Sequence, residues 1–186
     1  MTRLHYVLLV LTMPWLIQAC NTDTKKADSV ENAADTTEVT ADVEDDVAEF
    51  MAEAASGGMM EVELGETAQK NAKSQAVKNF GAMMVRDHSK AGDELKALAI
   101  SKNITLPAVI GKEHQEKVND MITLRGAEFD EKYMSMMVDD HKEDIEHFQK
   151  AAKFKDAAVS AFAVKTLPVL QKHLTSAEAI VKGVKK

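Results

Sequence analysis

From Val47 to the C-terminus, apolar residues return at steps of three and four in four successive stretches, and that period leaves the α-helix as the one regular element this chain supports. The first stripe runs Val47, Phe50, Ala54, Gly57, Glu61, Leu64, Ala68, Ala72, and the second Val77, Gly81, Met84, His88, Ala91, Leu95, Leu98. A shorter amphipathic piece covers about Lys112 to Leu124. Past Gly126 a third long stripe carries Tyr133, Met137, His141, Ile145, Phe148, Ala152, and a fourth carries Val159, Ala163, Thr166, Leu170, His173, Ala177, Ile180, Val184. Ala, Glu, Lys, Met and Leu dominate throughout, and all are good helix formers. Asn103 to Pro107 ends the second helix, because a proline disfavours helical geometry in the residue before it. Pro168 is expected to kink the last helix, or at least to remove one backbone hydrogen bond. The Gly57-Gly58 pair costs the first helix about 1 kcal/mol per glycine, which a close helix contact or a local bend would explain. Four long amphipathic helices with short connections predict an all-α fold over residues 47–186, an antiparallel four-helix bundle with a short extra helix at the crossover between hairpins.

The residues before the helices belong to another class. Arg3, the mostly apolar run Val7 to Ile17 and the small Ala19 make residues 1–19 a secretory signal peptide, too short to span a bilayer. Cys20, the only cysteine of the chain, follows Ile17-Gln18-Ala19 at the place where a bacterial lipobox carries its lipidated residue. Lipidation at Cys20 would anchor the protein to a membrane of the cell envelope, on the outer-membrane or periplasmic side; an ordinary secreted protein with one thiol is the alternative. Residues 21–46 hold nine carboxylates against Lys25 and Lys26 and no aromatic residue. They read as a disordered acidic tether. Most of the formal charge of −7 resides there, so the helical region is close to neutral and offers no basic surface for nucleic acid. A single cysteine also excludes an internal disulfide and any multi-cysteine metal site.

Two segments repeat. Met83-Met84-Val85-Arg86-Asp87-His88 returns as Met136-Met137-Val138-Asp139-Asp140-His141, with Phe80 and Tyr133 at matching offsets upstream. The repeat relates the second long helix to the third, whereas duplication of a hairpin would relate the second to the fourth. Glu61, His88, His141 and His173 each lie on the apolar stripe of a different long helix. A hairpin turning near residue 74 brings Glu61 level with His88, whereas a turn near residue 155 leaves His141 and His173 offset by roughly 6 Å at 1.5 Å per residue. Facing helices that project imidazoles and carboxylates at one level form a ligand cage. The four residues are therefore candidate ligands for a single zinc, copper or iron ion, with affinity expected to fall as pH drops through about 6.5 and imidazoles protonate. Met84 and Met137 stand one turn from His88 and His141 as candidate soft ligands suited to copper. Asp87 and Asp140 are candidate supporting partners, each placed to bond a neighbouring helix rather than its own histidine.

The competing reading is a set of neutral, hydrogen-bonded core histidines with methionines as packing. An apolar face covers about three of every seven helical positions, so about two of the five histidines after the signal fall there by chance. What favours ligands is Glu61, a carboxylate that needs a partner if buried. No Glu-x-x-His pair is present for a di-iron site, and no nucleophile elbow or nucleotide loop occurs. No catalytic residue is assigned, and His114 and His147 are expected to face solvent.

Phe50 with Ala54-Ala55, Gly57-Gly58, Glu61-Val62, Leu64-Gly65 and Ala68, then Val77, Phe80, Met84-Val85 and Asp87-His88-Ser89, resembles a bacterial family called domain of unknown function 4142. Phe129-Asp130, Tyr133, Met137-Val138, Asp140-His141, Leu167-Pro168 and His173-Leu174 extend the resemblance to about residue 181. It implies a ferritin-like helical bundle exported to the cell envelope, often labelled an outer-membrane protein, with no established activity. Two expectations follow: a lipid-anchored binding or stress-related module without demonstrated catalysis, or a metal-binding protein or metal-dependent oxidoreductase centred on Glu61, His88, His141 and His173. Protein partners are left open.

Overall fold

The computed structural model of the chain describes residues 35–184, so the signal peptide, Cys20 and the first part of the tether lie outside the described residues. Five α-helices make up the described chain: α1 Asp35–Asn71, α2 Gln75–Lys102, α3 Lys112–Ile122, α4 Gly126–Ala151 and α5 Ala157–Val184. The protein is all-α, and no strand is present among the described residues. The first helix starts at Asp35, inside the stretch read as tether, and nothing in Asp35 to Asp46 stops it, since that run contains neither proline nor glycine. No helix of the described residues is long and apolar enough to cross a membrane.

Connections between the long helices are fixed by side chains that reach across elements. The Asp130 carboxylate of α4 is buried and accepts the backbone N–H groups of Lys73 (3.0 Å) and Ser74 (2.8 Å), so the α1–α2 turn and the start of α2 are capped from outside the hairpin. Asn71 donates to the carbonyl of Leu124 at 3.0 Å, which ties the same turn to the α3–α4 junction. Gly126 opens α4 with φ +68, a conformation that glycine adopts without the Cβ penalty. Asn103 ends α2 in the left-handed region, its N–H closing onto the carbonyls of Ala99 and Ile100. At the other hairpin Asp156 caps α5, accepting from the N–H groups of Ala158 and Val159.

α1 packs along α2 and α4 along α5, with lesser contacts of α1 to α4, α2 to α5 and α1 to α3. The short connections make each close pair an antiparallel hairpin. α5 runs through Pro168 as one helix. The carbonyl that Pro168 leaves without its helical donor belongs to Val164, a residue on the exposed side of the helix (57%). The close helix contact inferred at Gly57-Gly58 lies elsewhere. A Cβ on Gly58 would meet nothing and one on Gly57 would make only ordinary contact with His114, whereas Gly65 and Gly81 press backbone to backbone between α1 and α2.

The interior is divided. One apolar cluster joins Met60, Leu64, Ala68, Phe80, Met84, Val118, Phe129, Tyr133 and Met137. A second joins Val47, Phe50, Met51, Leu95, Phe148, Phe162 and Leu170. Reading along α2, α4 and α5, His88, His141 and His173 fall between the two clusters, and on α1 Glu61 joins them at the edge of the first cluster, one residue past Met60. A buried polar layer thus separates two dry ones.

Candidate metal centre

All four stripe residues meet in that layer. Glu61 and His88 are 2% and 8% exposed, and His141 and His173 are fully buried. Glu61 Oε2 lies 2.7 Å from His88 Nδ1 and Glu61 Oε1 3.5 Å from His141 Nε2. His141 Nε2 lies 3.3 Å from His173 Nδ1. One ring nitrogen from each of His88, His141 and His173 falls within 4.8 Å of the others. The expected offset between His141 and His173 is taken up partly by side-chain direction. Helical side chains lean toward the N-terminus of their own helix. In an antiparallel pair, a residue nearer the turn on the first helix therefore meets one farther from it on the second.

The second nitrogen of each ring is committed. His141 Nδ1 faces the Met137 carbonyl at 2.9 Å; a carbonyl only accepts, so Nδ1 carries the proton and the Nε2 of the neutral ring is bare. His173 Nε2 donates to Asp87 Oδ2 at 2.9 Å. The Arg86 guanidinium holds the Asp87 carboxyl down at about 2, with His173 adding to the effect against burial, so Asp87 is an anion that only accepts and His173 Nδ1 is bare as well. Two lone pairs thus face each other across 3.3 Å with no proton of either ring between them. His88 Nδ1 is taken by Glu61, and His88 Nε2 is buried without a hydrogen-bond partner, as is Glu61 Oε1.

Protons do not resolve this arrangement easily. Burial lowers His88, His141 and His173 each to about 4, against partial compensation from Glu61 at His141 and from Asp87 at His88 and His173. Burial pushes Glu61 up to about 7, with His141 and Lys117 opposing and Asp140 adding. The group that titrates near neutrality is therefore the carboxylate. The expected loss of metal affinity through about pH 6.5 by imidazole protonation is corrected accordingly: desolvation has moved the rings out of that range and brought Glu61 into it.

A folded-state value raised above the unfolded one stabilises the protein at low pH. For Glu61 that contribution is complete below 4.5 and is lost as pH rises through about 7. The three histidines act in the opposite sense, losing stability as pH falls from 6.5 through about 4. Glu61→Gln removes the first contribution, together with the support that the Glu61 charge gives to protonated His141. In chelator-treated protein the variant should match the wild type near pH 4.5 and exceed its unfolding free energy by on the order of 2–3 kcal/mol at pH 8. Urea melts at both pH values check this; a difference independent of pH would show that Glu61 titrates as an ordinary carboxylate.

The other candidate residues fall on the flanks of the layer. Met84 and Met137 are fully buried in the first apolar cluster, and Met137 meets His141 through its backbone carbonyl. Asp87 bonds a histidine of another helix, His173. Asp140 instead pairs with Lys117 of α3 at 2.6 Å. The two copies of the repeated motif thus each send a histidine inward, their rings 5.8 Å apart, while the preceding aspartates engage different neighbours. His114 does not face solvent. Its ring is 13% exposed and bridges Ser56 Oγ (2.7 Å) and Glu53 (3.4 Å), pinning α3 to α1, and Ser56 Oγ in turn accepts the N–H of Gly111. His147 is half-buried rather than exposed. The sequence reading missed Lys117 and the half-buried Asp144, which share a narrow cleft with Glu61 and Asp140. Their only signal was position, one turn along α4 from His141 for Asp144 and on the inner side of the short helix for Lys117.

The model of the family described as domain of unknown function (DUF4142) matches residues 32–180. Neither the curated proteins nor the solved structures hold a match to the chain.

Proposed function

The chain belongs to the domain of unknown function 4142 family, whose description names no activity, and we propose that this protein is a metal-binding module of the cell envelope. Its helices form a ferritin-like four-helix bundle, with α3 as the extra helix at the crossover. Lipidated Cys20 tethers that bundle to the membrane. In this reading His88, His141 and His173, whose ring nitrogens converge, supply three nitrogens to one transition-metal ion held between the two apolar clusters, and Glu61, outside that convergent set but against His88 and His141, turns an oxygen in to complete the shell.

The observation that carries the proposal is the pair of bare nitrogens on His141 and His173, 3.3 Å apart, each with its proton fixed on the far side of the ring by an acceptor. Facing lone pairs repel unless a cation lies between them. Outer partners that fix the tautomer and aim the lone pair are the usual supports of metal-bound imidazole. Bonds of about 2.0–2.1 Å in a tetrahedron place ligand atoms about 3.3 Å apart, in keeping with the 3.3 Å and 3.5 Å separations around His141 Nε2. Imidazole and carboxylate suit zinc and copper(II). The site is enclosed, so binding, storage or transfer of the ion fits better than turnover of a substrate.

Untagged mature protein should carry close to one equivalent of zinc or copper on elemental analysis. After chelation, adding the ion at a hundredfold excess over Kd should raise stability by about 2.7 kcal/mol and the melting midpoint by roughly 5–10 °C. Less than about a tenth of an equivalent of any transition metal, with no shift on adding zinc or copper, rejects the proposal. A core-histidine layer would give that result.

A further inference from the structure

Four buried side-chain atoms have no hydrogen-bond partner among the described residues: Glu61 Oε1, His88 Nε2, Tyr133 Oη and Asp140 Oδ2. The proposed centre accounts for the first two. Asp140 Oδ2 is outside it, yet Asp140 is only 8% exposed and its other oxygen is already taken by Lys117. A buried carboxylate oxygen without a donor is costly unless something positive visits it.

Asp140 lines a narrow cleft that runs from Glu53 and Glu143 at the surface to Glu61 in the buried layer. Five carboxylates line this cleft, those of Glu53, Glu61, Asp140, Glu143 and Asp144, against the single ammonium of Lys117. Burial raises the Asp144 carboxyl well above its ordinary value, and the charges of Glu61, Asp140 and Glu143 push it the same way while Lys117 opposes. Glu61 and Asp144 thus resist ionisation beside their acidic neighbours, and an entering cation relieves that resistance. A second approach reaches Glu61, His88 and His173 past Leu95, Phe148, Phe162 and Leu170, with Asp87 and Asp144 as its other carboxyl groups, so that it is mostly apolar and shares Asp144 with the acidic cleft. An aqueous cation must exchange its water for other oxygens as it enters, which apolar walls cannot offer and carboxylates can. Clefts lined by one sign of charge with low-dielectric walls also raise the arrival rate of the opposite ion, by about 10–10³. Gly57 borders this cleft and Gly58 the second approach. A Cβ on Gly58 would project into open space, so the small residues four and three positions before Glu61 keep both approaches unobstructed.

We propose that the acidic cleft is the loading path of the metal centre, with Asp140 and Asp144 forming a transient carboxylate station that passes a divalent cation to Glu61 and the three imidazoles. This rests on the metal-binding reading above. Asp144 sits three residues after His141 on the same helix, lines the cleft with Asp140 and Glu61, and has no hydrogen bond or ion pair among the described residues. Replacing it therefore breaks no interaction that holds the fold.

Cobalt(II) is a suitable probe because its visible absorption reports occupancy, and chelator-treated protein can be mixed with it in a stopped-flow instrument. Asp144→Asn should slow association by about tenfold or more and slow dissociation in parallel, so that Kd stays within about threefold of the wild type. Asp139→Asn, the same substitution at an exposed neighbour on α4, should leave both rates unaltered. An association rate in Asp144→Asn equal to that of the wild type overturns the path. A Kd weakened tenfold with association unchanged makes Asp144 a resting ligand and also overturns it. Equal slowing in Asp139→Asn assigns the effect to the general field of the surface, with the same consequence. Failure of the wild type to bind cobalt at equilibrium removes the metal centre itself, an outcome read from the endpoint rather than the rates.

Discussion

Replacing His141 by alanine is expected to abolish tight Zn(II) binding, with affinity falling on the order of 10³-fold, well beyond the ~10–100-fold loss typical of an outer partner. His141 is central to the layer: its Nε2 stands 3.3 Å from His173 Nδ1 and 3.5 Å from Glu61 Oε1, so its loss leaves an ion with two separated half-sites. His173→Ala should do the same damage, and the double variant should be no worse than either single one, since residues serving one ion act as a unit. Asp87→Asn, which acts only by orienting His173, belongs in the lower range of about 10–100-fold. Competition with a chromophoric chelator gives these affinities. The opposing expectation is equally definite. If the imidazoles are core residues, the variants show additive losses of stability and indistinguishable Zn(II) titrations. His114→Ala is the internal comparison, because it breaks the Ser56 and Glu53 contacts of α3 and should cost stability while leaving Zn(II) affinity within a few-fold.

The layer was legible in the sequence because helical periodicity and hairpin geometry are both nearly one-dimensional. Once Glu61 and His88 are assigned to the apolar stripes of two helices joined by a short turn, their level follows from counting residues, and the 2.7 Å contact agrees with it. His141 and His173 were harder. Counting assumes that side chains leave the helix axis at right angles, whereas they lean toward the N-terminus, in opposite directions on the two members of an antiparallel pair. The pairing of Asp87 with a neighbouring helix followed from the ~100° turn between adjacent residues. Its partner did not, since that choice depends on which helix packs on that side.

What periodicity could not supply is information about atoms that meet between helices far apart in the chain. Asp130 caps a turn some 56 residues upstream, and no local pattern announces it. His114 lies on none of the four long apolar stripes, so nothing in the periodicity marks it as inward. The inner face of α3 is set by its packing on α1, through Ser56. The pH behaviour was misread for a related reason. An ordinary imidazole titrates near 6.5, and only the dry clusters on both sides of the layer move three of them to about 4 and bring Glu61 to about 7. Desolvation is a property of the whole cross-section, not of any one stripe.

Gly81→Ala should destabilise the protein by about 1–3 kcal/mol, the range for overpacking a close contact, although Gly→Ala in a helix ordinarily stabilises by roughly 1 kcal/mol. A Cβ on Gly81 would fall 2.6 Å from the Gly65 carbonyl oxygen and 2.7 Å from Ala68 Cβ; one on Gly65 would fall 2.6 Å from the Gly81 carbonyl oxygen. Backbone cannot rotate away as a side chain does, so α1 and α2 must separate. Gly65 lies four residues, about 6 Å, from Glu61, and the separation should stretch the 2.7 Å Glu61–His88 contact. Gly81→Ala is thus expected to weaken Zn(II) binding about tenfold or more without touching a ligand, since a ligand set must be held within about 0.5 Å of its productive geometry. Gly92→Ala, also on α2 but with nothing near its Cβ, should instead gain up to about 1 kcal/mol and bind zinc as the wild type does. Chemical denaturation and zinc titration of the two variants side by side make the comparison. Equal stability in both would mean that the helices are not in backbone contact. A destabilised Gly81→Ala with unimpaired zinc affinity would mean that the spacing of this hairpin does not set the metal site.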